Sequence, residues 1–354
     1  MVHTFEIYTI ITTRRAWRIL HYQGVGHNRN RYRGEVNVNG IAEISVYPRK
    51  EPAEGYILKV ILNPAKLLYG YNAFETVSAN PLILNQMSTV FVAAMEEATG
   101  ENNLPHLPKW LVRRIDYAVD IRVEYPYKYI DLLKRGDKPK SYRDKADNKA
   151  GSCYWGCQST TGNIYYKADQ MINEGKPPKL VEQACNLLRF EVQCKRPKVG
   201  YLRKNKELDS RALHHFFCAE IAASVLLGYC RRVYKIGDYY SYHAAEAHMK
   251  RLGVSKRRIK ACQKVLSAIA QTRSISEARN QLSTTGLVVK NTNPPVELQY
   301  SVEQFGRNCK ALSDMNINPV TIPREWKTSH LTGVFDMIET MLMANYNSNE
   351  IIIA

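Results

Sequence analysis

Runs of apolar, β-branched residues alternating with polar ones fill the first two hundred positions, then give way to helical spacing after Ser210. FEIYTIIT (5–12), GIAEISVYP (40–48) and YILKVILN (56–63) have the period of strands, and so do LVRRIDYAVDIRV (111–123), NIYYKA (163–168) and LLRFEVQCK (187–195). Among them, PLILNQMSTVFVAAMEEATG (81–100) has helical spacing and ends on Gly100, where a left-handed C-cap is easily adopted. A short helix is expected around YKYIDLLKRG (127–136), and QGVGHNRNRYRG (23–34) is expected to be a basic loop or hairpin. Beyond Ser210, SYHAAEAHMKRLG (241–253), SKRRIKACQKVLSAIAQ (255–271) and SISEARNQL (274–282) all start on a serine suited to N-capping.

Charge narrows the partners. Fifty Lys and Arg against 33 Asp and Glu leave a net charge of +17, which favours a polyanion, nucleic acid first and an anionic membrane second. The most apolar late run, FFCAEIAASVLLGYC (216–230), is too short to span a bilayer and contains Glu220, so a buried amphipathic helix is expected. The N-terminus has no basic stretch ahead of its apolar core and no small-residue cleavage site, and it is read as a strand. The eight cysteines form no CxxC pair, Cys153 and Cys157 coming nearest, so free thiols in a reducing cytosol are expected. Neither GxxxxGK[ST] nor GxGxxG occurs, which argues against an ATPase of its own.

Alternation in a strand places residues two apart on one face. Arg114, Asp116, Ala118 and Asp120 then share a face, as do Arg189, Glu191 and Gln193, and Asn163, Tyr165 and Lys167, with Tyr166 on the opposite side. If these strands are neighbours, Asp116, Glu191, Tyr165 and Lys167 converge. Two carboxylates can hold Mg²⁺ or Mn²⁺ against a phosphate, and a tyrosine beside them can attack phosphorus. The competing reading of the same spacing is a solvated face on which Arg114 pairs with Asp116 and Arg189 with Glu191.

NPAKLLYGYNAFE (63–75), RRIDYAVDI (113–121), NIYYKA (163–168) and LLRFEVQCKRPKVGYL (187–202) occur in an order that resembles the filamentous-phage gene II type of replication initiator. The resemblance covers roughly residues 55–205, and more weakly the LGVSKRRI and INPVTIP stretches. It implies an enzyme that starts rolling-circle replication of a phage or plasmid by nicking one DNA strand through a phosphotyrosyl intermediate. It implies Tyr165 as nucleophile, with Lys167 beside it, and Asp116 and Glu191 as metal or acid/base groups for Mg²⁺ or Mn²⁺. The His-hydrophobe-His pair of many other nicking initiators is absent, since His214 and His215 are adjacent. The expected fold class is α+β, of the replication-initiator or relaxase kind. An N-terminal antiparallel sheet carries helices on one face and the site on the other, and a mostly helical part follows. The expected division is a catalytic domain at 1–235 and a helical DNA-binding or accessory domain at 236–354.

Arg29, Arg31 and Arg33, and Lys256, Arg257, Arg258 and Lys260 beside the Gly253 turn, are expected to contact DNA. Origin DNA, a host helicase and a polymerase in the bacterial cytoplasm are the expected partners. Two alternatives stay open: a non-enzymatic DNA-binding regulator using a helix-turn-helix-like C-terminal half, and a tyrosine recombinase, for which HMKR (248–251) and Tyr300 are the candidate residues.

Overall fold

The computed structural model describes residues 1–26, 29–50, 54–144, 150–289 and 295–350. His27 and Asn28, within the predicted basic hairpin, lie outside the described residues. Nine strands form one sheet: β1 (Val2–Ile11), β2 (Tyr32–Val38), β3 (Ile41–Pro48), β4 (Tyr56–Leu62), β5 (Leu111–Arg122), β6 (Arg143–Asp144), β7 (Ser152–Gly156), β8 (Thr160–Tyr166) and β9 (Leu187–Cys194). Their spatial order is β2-β3-β4-β1-β5-β9-β8-β7-β6, and every neighbouring pair is antiparallel.

Alternation decides which face is covered. In β4, Tyr56, Leu58, Val60 and Leu62 are buried while Ile57, Lys59 and Ile61 are only partly so. The register continues that apolar face through Ile44 and Val46 on β3, Phe5 and Ile7 on β1, and Ile115 on β5. Helices pack against the sheet: Pro81–Thr99 on β2 and β3, Thr13–Tyr22 on β3 and β4, and Arg196–Asn205, Ala219–Val233 and Val334–Glu350 on β5. The other face carries Glu6, Glu43, Lys59, Asp116 and Glu191 in its rows. The chain is therefore α+β, with helices on one face of an antiparallel sheet, as the sequence predicts. Helix Ala219–Val233 buries Ile221, Val225 and Leu226, and among the described residues no helix is long and apolar enough to cross a membrane.

Local chemistry sets the boundaries. Asn80 accepts a hydrogen bond from the Ile83 amide at 2.9 Å, Pro81 fills the first helical position, and Gly100 closes that helix at φ +70°. Two of the strands give way directly to helices. NPAK opens the helix Pro64–Tyr69, because Asn63 caps the Lys66 amide at 3.0 Å and Pro64 is preset for the first turn. The strand predicted over NIYYKA stops at Tyr166, and Lys167 begins the helix Lys167–Asn173, whose first turn holds Asp169 at the end that favours a negative charge. The C-terminal part is helical, with Ser255 capping the Arg258 amide and Gly253 at φ +70° in the turn before it.

Candidate active site

Strands β5, β9 and β8 are consecutive, and their register lays the polar residues in three transverse rows. Tyr165, Arg189 and Asp120 form one row, Asn163, Glu191 and Ala118 the next, and Thr161, Gln193 and Asp116 the third. Tyr165, Asn163 and Glu191 line a cavity of about 440 Å³ together with His3, Tyr166 and Gln170. Asp116 is one row from Glu191 on the neighbouring strand, a diagonal pair with Cβ atoms ~7 Å apart in such a ladder. The structure thus brings Tyr165 and Glu191 into one cavity with Lys167 beside Tyr165, whereas Asp116 lies two rows and two strands from Tyr165 and does not border that cavity.

This face is not solvated where the charges lie. Arg189 is 0% exposed, Asp116 1% and Glu191 5%, so each needs compensation inside the protein. Arg189 pairs with Asp120 and not with Glu191: Nε and Nη2 donate to the two carboxylate oxygens at 2.6 Å each, and Nη2 also donates to the Phe74 carbonyl at 2.6 Å. Arg114 Nε lies 3.1 Å from Asp116 Oδ1. His3 Nδ1 lies 3.1 Å from Glu191 Oε2, and Gln193 donates to Glu191 Oε1 at 3.1 Å.

Those environments drive the two carboxylates apart. Burial and then the charge of Glu191 raise Asp116 well above the usual carboxylate range, against the pull of Arg114. Burial also pushes Glu191 upward, but the charge and hydrogen bond of His3, the Gln193 hydrogen bond and the charge of Arg189 outweigh it and bring it to about 2. The two carboxyls are thus pushed in opposite directions, Asp116 up and Glu191 down. Burial raises the Tyr165 phenol above its ordinary value, and the Arg189 charge opposes that rise. Lys167, buried with Nζ donating to Gln170 Oε1 at 2.7 Å, is lowered to about 8, first by burial and then by the charge of Arg189. It starts a helix instead of following Tyr165 along a strand, yet its Nζ still lies 6.0 Å from the centre of the Tyr165 ring.

The donor set fits a hard divalent ion. The Glu191 carboxylate, the His3 imidazole and the Asn163 amide oxygen border the cavity, Asn163 Oδ1 is buried without a hydrogen-bond partner, and Asp116 lies one row from Glu191 outside the lining. Among the described residues no three His, Cys, Asp or Glu side chains form a metal cage. A bound ion would therefore draw its remaining ligands from water or phosphate.

Tyr166, assigned to the opposite side by alternation, packs edge-on against Tyr127 with ring centres 5.4 Å apart and also borders the cavity. Sequence reasoning missed His3. Alternation groups it with Phe5 and Ile7, which face the core, but the register of β1 on β5 shifts between Val2 and Thr4, and this bulge brings it to Glu191. No period-2 pattern signals such a shift.

The basic residues lie elsewhere. Arg31 and Arg33 border a second cleft on the open face with Lys59 and Arg113, and Arg33 is tied to Glu43 at 3.0 Å. Arg29 is exposed in the loop before β2. Lys256, Arg257, Arg258 and Lys260 are exposed at the start of the helix Lys256–Thr272, and none of them lines the Tyr165 cavity. The rings of His214 and His215 lie against each other at a tilt of 41° on the short helix Leu213–Phe216, where His214 Nδ1 bonds the Pro108 carbonyl at 3.0 Å.

Residues 32–210, more than half of the chain, match the family described as the replication-associated gene II protein, N-terminal part. The chain belongs to this family, and so to the gene II type of replication initiator that its motifs resemble. Among solved structures it is similar to the rolling circle replication initiator protein from Geobacillus stearothermophilus, at 12% identity and a TM-score of 0.33, over 66% of this chain and 84% of that one. No curated protein matches the chain.

Proposed function

We propose that this initiator nicks one strand of origin DNA in the Tyr165 cavity, starting rolling-circle replication of a phage or plasmid. The observation that carries the reading is the register: it sets Tyr165 directly across from the buried Arg189, with Glu191 in the next row on the neighbouring strand and in the same cavity.

The Tyr165 oxygen attacks phosphorus, the bond to the 3′ oxygen breaks, and the protein is left joined to the 5′ phosphate. A buried phenol resists losing its proton, so the site needs a cation and an acceptor. Arg189 supplies the fixed charge, since its pairing with Asp120 keeps it in place. Lys167, with its lowered pKa, is neutral in part near physiological pH and takes the phenolic proton. With Mg²⁺ or Mn²⁺ bound by Asp116 and Glu191, the ion would neutralise charge on the phosphate.

Arg31 and Arg33 on the same face, and Arg29 just before β2, would steady the DNA near the site. Lys256, Arg257, Arg258 and Lys260 would hold duplex, with the helical part from 236 onward serving as a DNA-binding or accessory domain beside a catalytic part at 1–235. A host helicase and polymerase would then extend the freed end in the bacterial cytoplasm. The test is incubation with supercoiled origin DNA and Mg²⁺ or Mn²⁺. A nicked product carrying covalently bound protein supports the reading, whereas gel retardation with no cleavage under any metal would favour a DNA-binding regulator.

A further inference from the structure

A second cavity lies beneath the β7–β8 hairpin, on the helix-covered face of the sheet. Residues of β8 and β9, including Thr160 and Val192, and of the helices Arg196–Asn205 and Ala219–Val233 enclose about 600 Å³, within the size range of small-ligand sites. It meets a further space of about 750 Å³ at the β7–β8 turn, with Ser141, Cys157, Ser159 and Pro197 bordering both. Lys195 Nζ donates to the Cys157 carbonyl at 2.9 Å and ties that turn to the end of β9.

The lining has two parts of different chemistry. Four cations, Lys198, Lys206 and Arg232 in the first space and Arg143 in the second, border it, and among the described residues no carboxylate does. In a chain with 33 acidic residues, an acid-free wall with four cations is a local anion site. The floor is aromatic and apolar. Tyr229 packs directly over Gly162, where a Cβ would collide with its ring, and Tyr142 lies beside it with ring centres 6.1 Å apart. The Arg232 guanidinium stands 5.2 Å from the centre of the Tyr142 ring and hydrogen-bonds its hydroxyl. An anionic group next to a flat apolar one is the chemistry of a nucleotide: phosphate on the cations, base against the rings.

We propose that this cavity binds one nucleotide unit, with its phosphate at Lys198, Lys206 and Arg232 and its base against Tyr229 and Tyr142. The unit has two sources, a free nucleotide or a single strand of DNA threaded past the hairpin tip. The site is separate from the Tyr165 cavity and stands or falls independently of the strand-cleavage reading.

Calorimetric titration of the full chain with dTMP, thymidine and inorganic phosphate tests it. The expected result is that dTMP binds at least ten-fold more tightly than either fragment. Lys198→Ala with Lys206→Ala, both at the cavity's edge, should weaken dTMP at least ten-fold. Gly228→Leu should block it by filling the cavity, since a Cβ there meets no atom within 4 Å. Melting curves of both variants check that the fold is kept. A dT₄ oligonucleotide weakened by the same factor in the double variant identifies a DNA strand as the source, and an unaffected oligonucleotide with weakened dTMP identifies the free nucleotide. The proposal is wrong if dTMP binds no better than phosphate, or if the folded double variant binds dTMP as the unaltered chain does.

Discussion

The Tyr165 cavity and the start of the helix Lys256–Thr272 are both rich in cations, but the protein treats those cations in opposite ways. Around Tyr165 they are fixed: Arg189, buried, by both oxygens of Asp120, Lys167, buried, by Gln170 Oε1, and further along the sheet Arg114, half-buried, against Asp116. On the C-terminal helix they are exposed, and Arg258 Nη1 donates to Asn308 Oδ1 at 3.4 Å. Three of them occupy the first helical turn, the end of the helix dipole that disfavours positive charge. Buried, paired charge fixes geometry and proton affinity, which chemistry requires. Exposed charge on an unfavourable helix end is relieved by a polyanion, which is what DNA binding requires. Substitutions in the two regions should therefore differ in kind.

The largest effect should come from the carboxyl pair. Asp116→Asn and Glu191→Gln are each expected to slow cleavage by about 10²–10⁴ and to weaken its metal dependence, while duplex affinity stays the same. Cleavage at the unaltered rate across a Mg²⁺ titration in both variants would reduce the pair to a structural role.

Stability separates the regions next. Asp120→Ala leaves Arg189 buried without its counter-charge and should cost about 3–5 kcal/mol in urea denaturation. Lys256→Ala, at the exposed helix end, should stay within about 0.5 kcal/mol of the unaltered chain. Similar losses for the two variants would erase the contrast.

The pH profile sharpens the site further. Lys167 sits at about 8, lowered from 10.5 mainly by burial, so its amine is mostly protonated below that pH and mostly neutral above it. Single-turnover cleavage should rise about ten-fold per pH unit on approaching 8 and level off beyond it. Lys167→Gln should lose that inflection along with rate. A profile that is level between pH 6 and 9 would remove Lys167 as the proton acceptor.

The smallest expected change is in salt dependence. Alanine at Lys256, Arg257 and Arg258 together should flatten the log–log salt dependence of duplex affinity by as much as about 2–3, near 0.9 for each phosphate no longer neutralised. An unchanged slope would shift duplex contact to Arg29, Arg31 and Arg33.

The sequence carried the sheet and the sidedness of its polar residues, because both follow from a two-residue period that β5, β8 and β9 obey across their paired residues. Order among the motifs supplied the family. Sequence periodicity failed where a residue leaves its strand. His3 was out of reach because a bulge reverses its side, and Lys167 was placed correctly beside Tyr165 but for the wrong reason, since the chain turns into a helix there. Partner choice was also illegible: Arg189 stands two residues from Glu191 in sequence, yet it pairs with Asp120 directly across the ladder. Burial of these charges depends on the segment around Phe74 and the helix Lys167–Asn173 closing over one end of the open face, which no local pattern encodes.

The identity of the residue left on cleaved DNA tests the account most directly. After incubation of the chain with origin DNA and Mg²⁺ or Mn²⁺, nuclease trimming and mass spectrometry of the peptide that retains a nucleotide should locate the phosphodiester on Tyr165. Tyr165→Phe should give no adduct while still binding DNA, and Tyr166→Phe should give the same adduct as the unaltered chain. A nucleotide on Tyr166, or on any tyrosine other than Tyr165, would contradict the assignment.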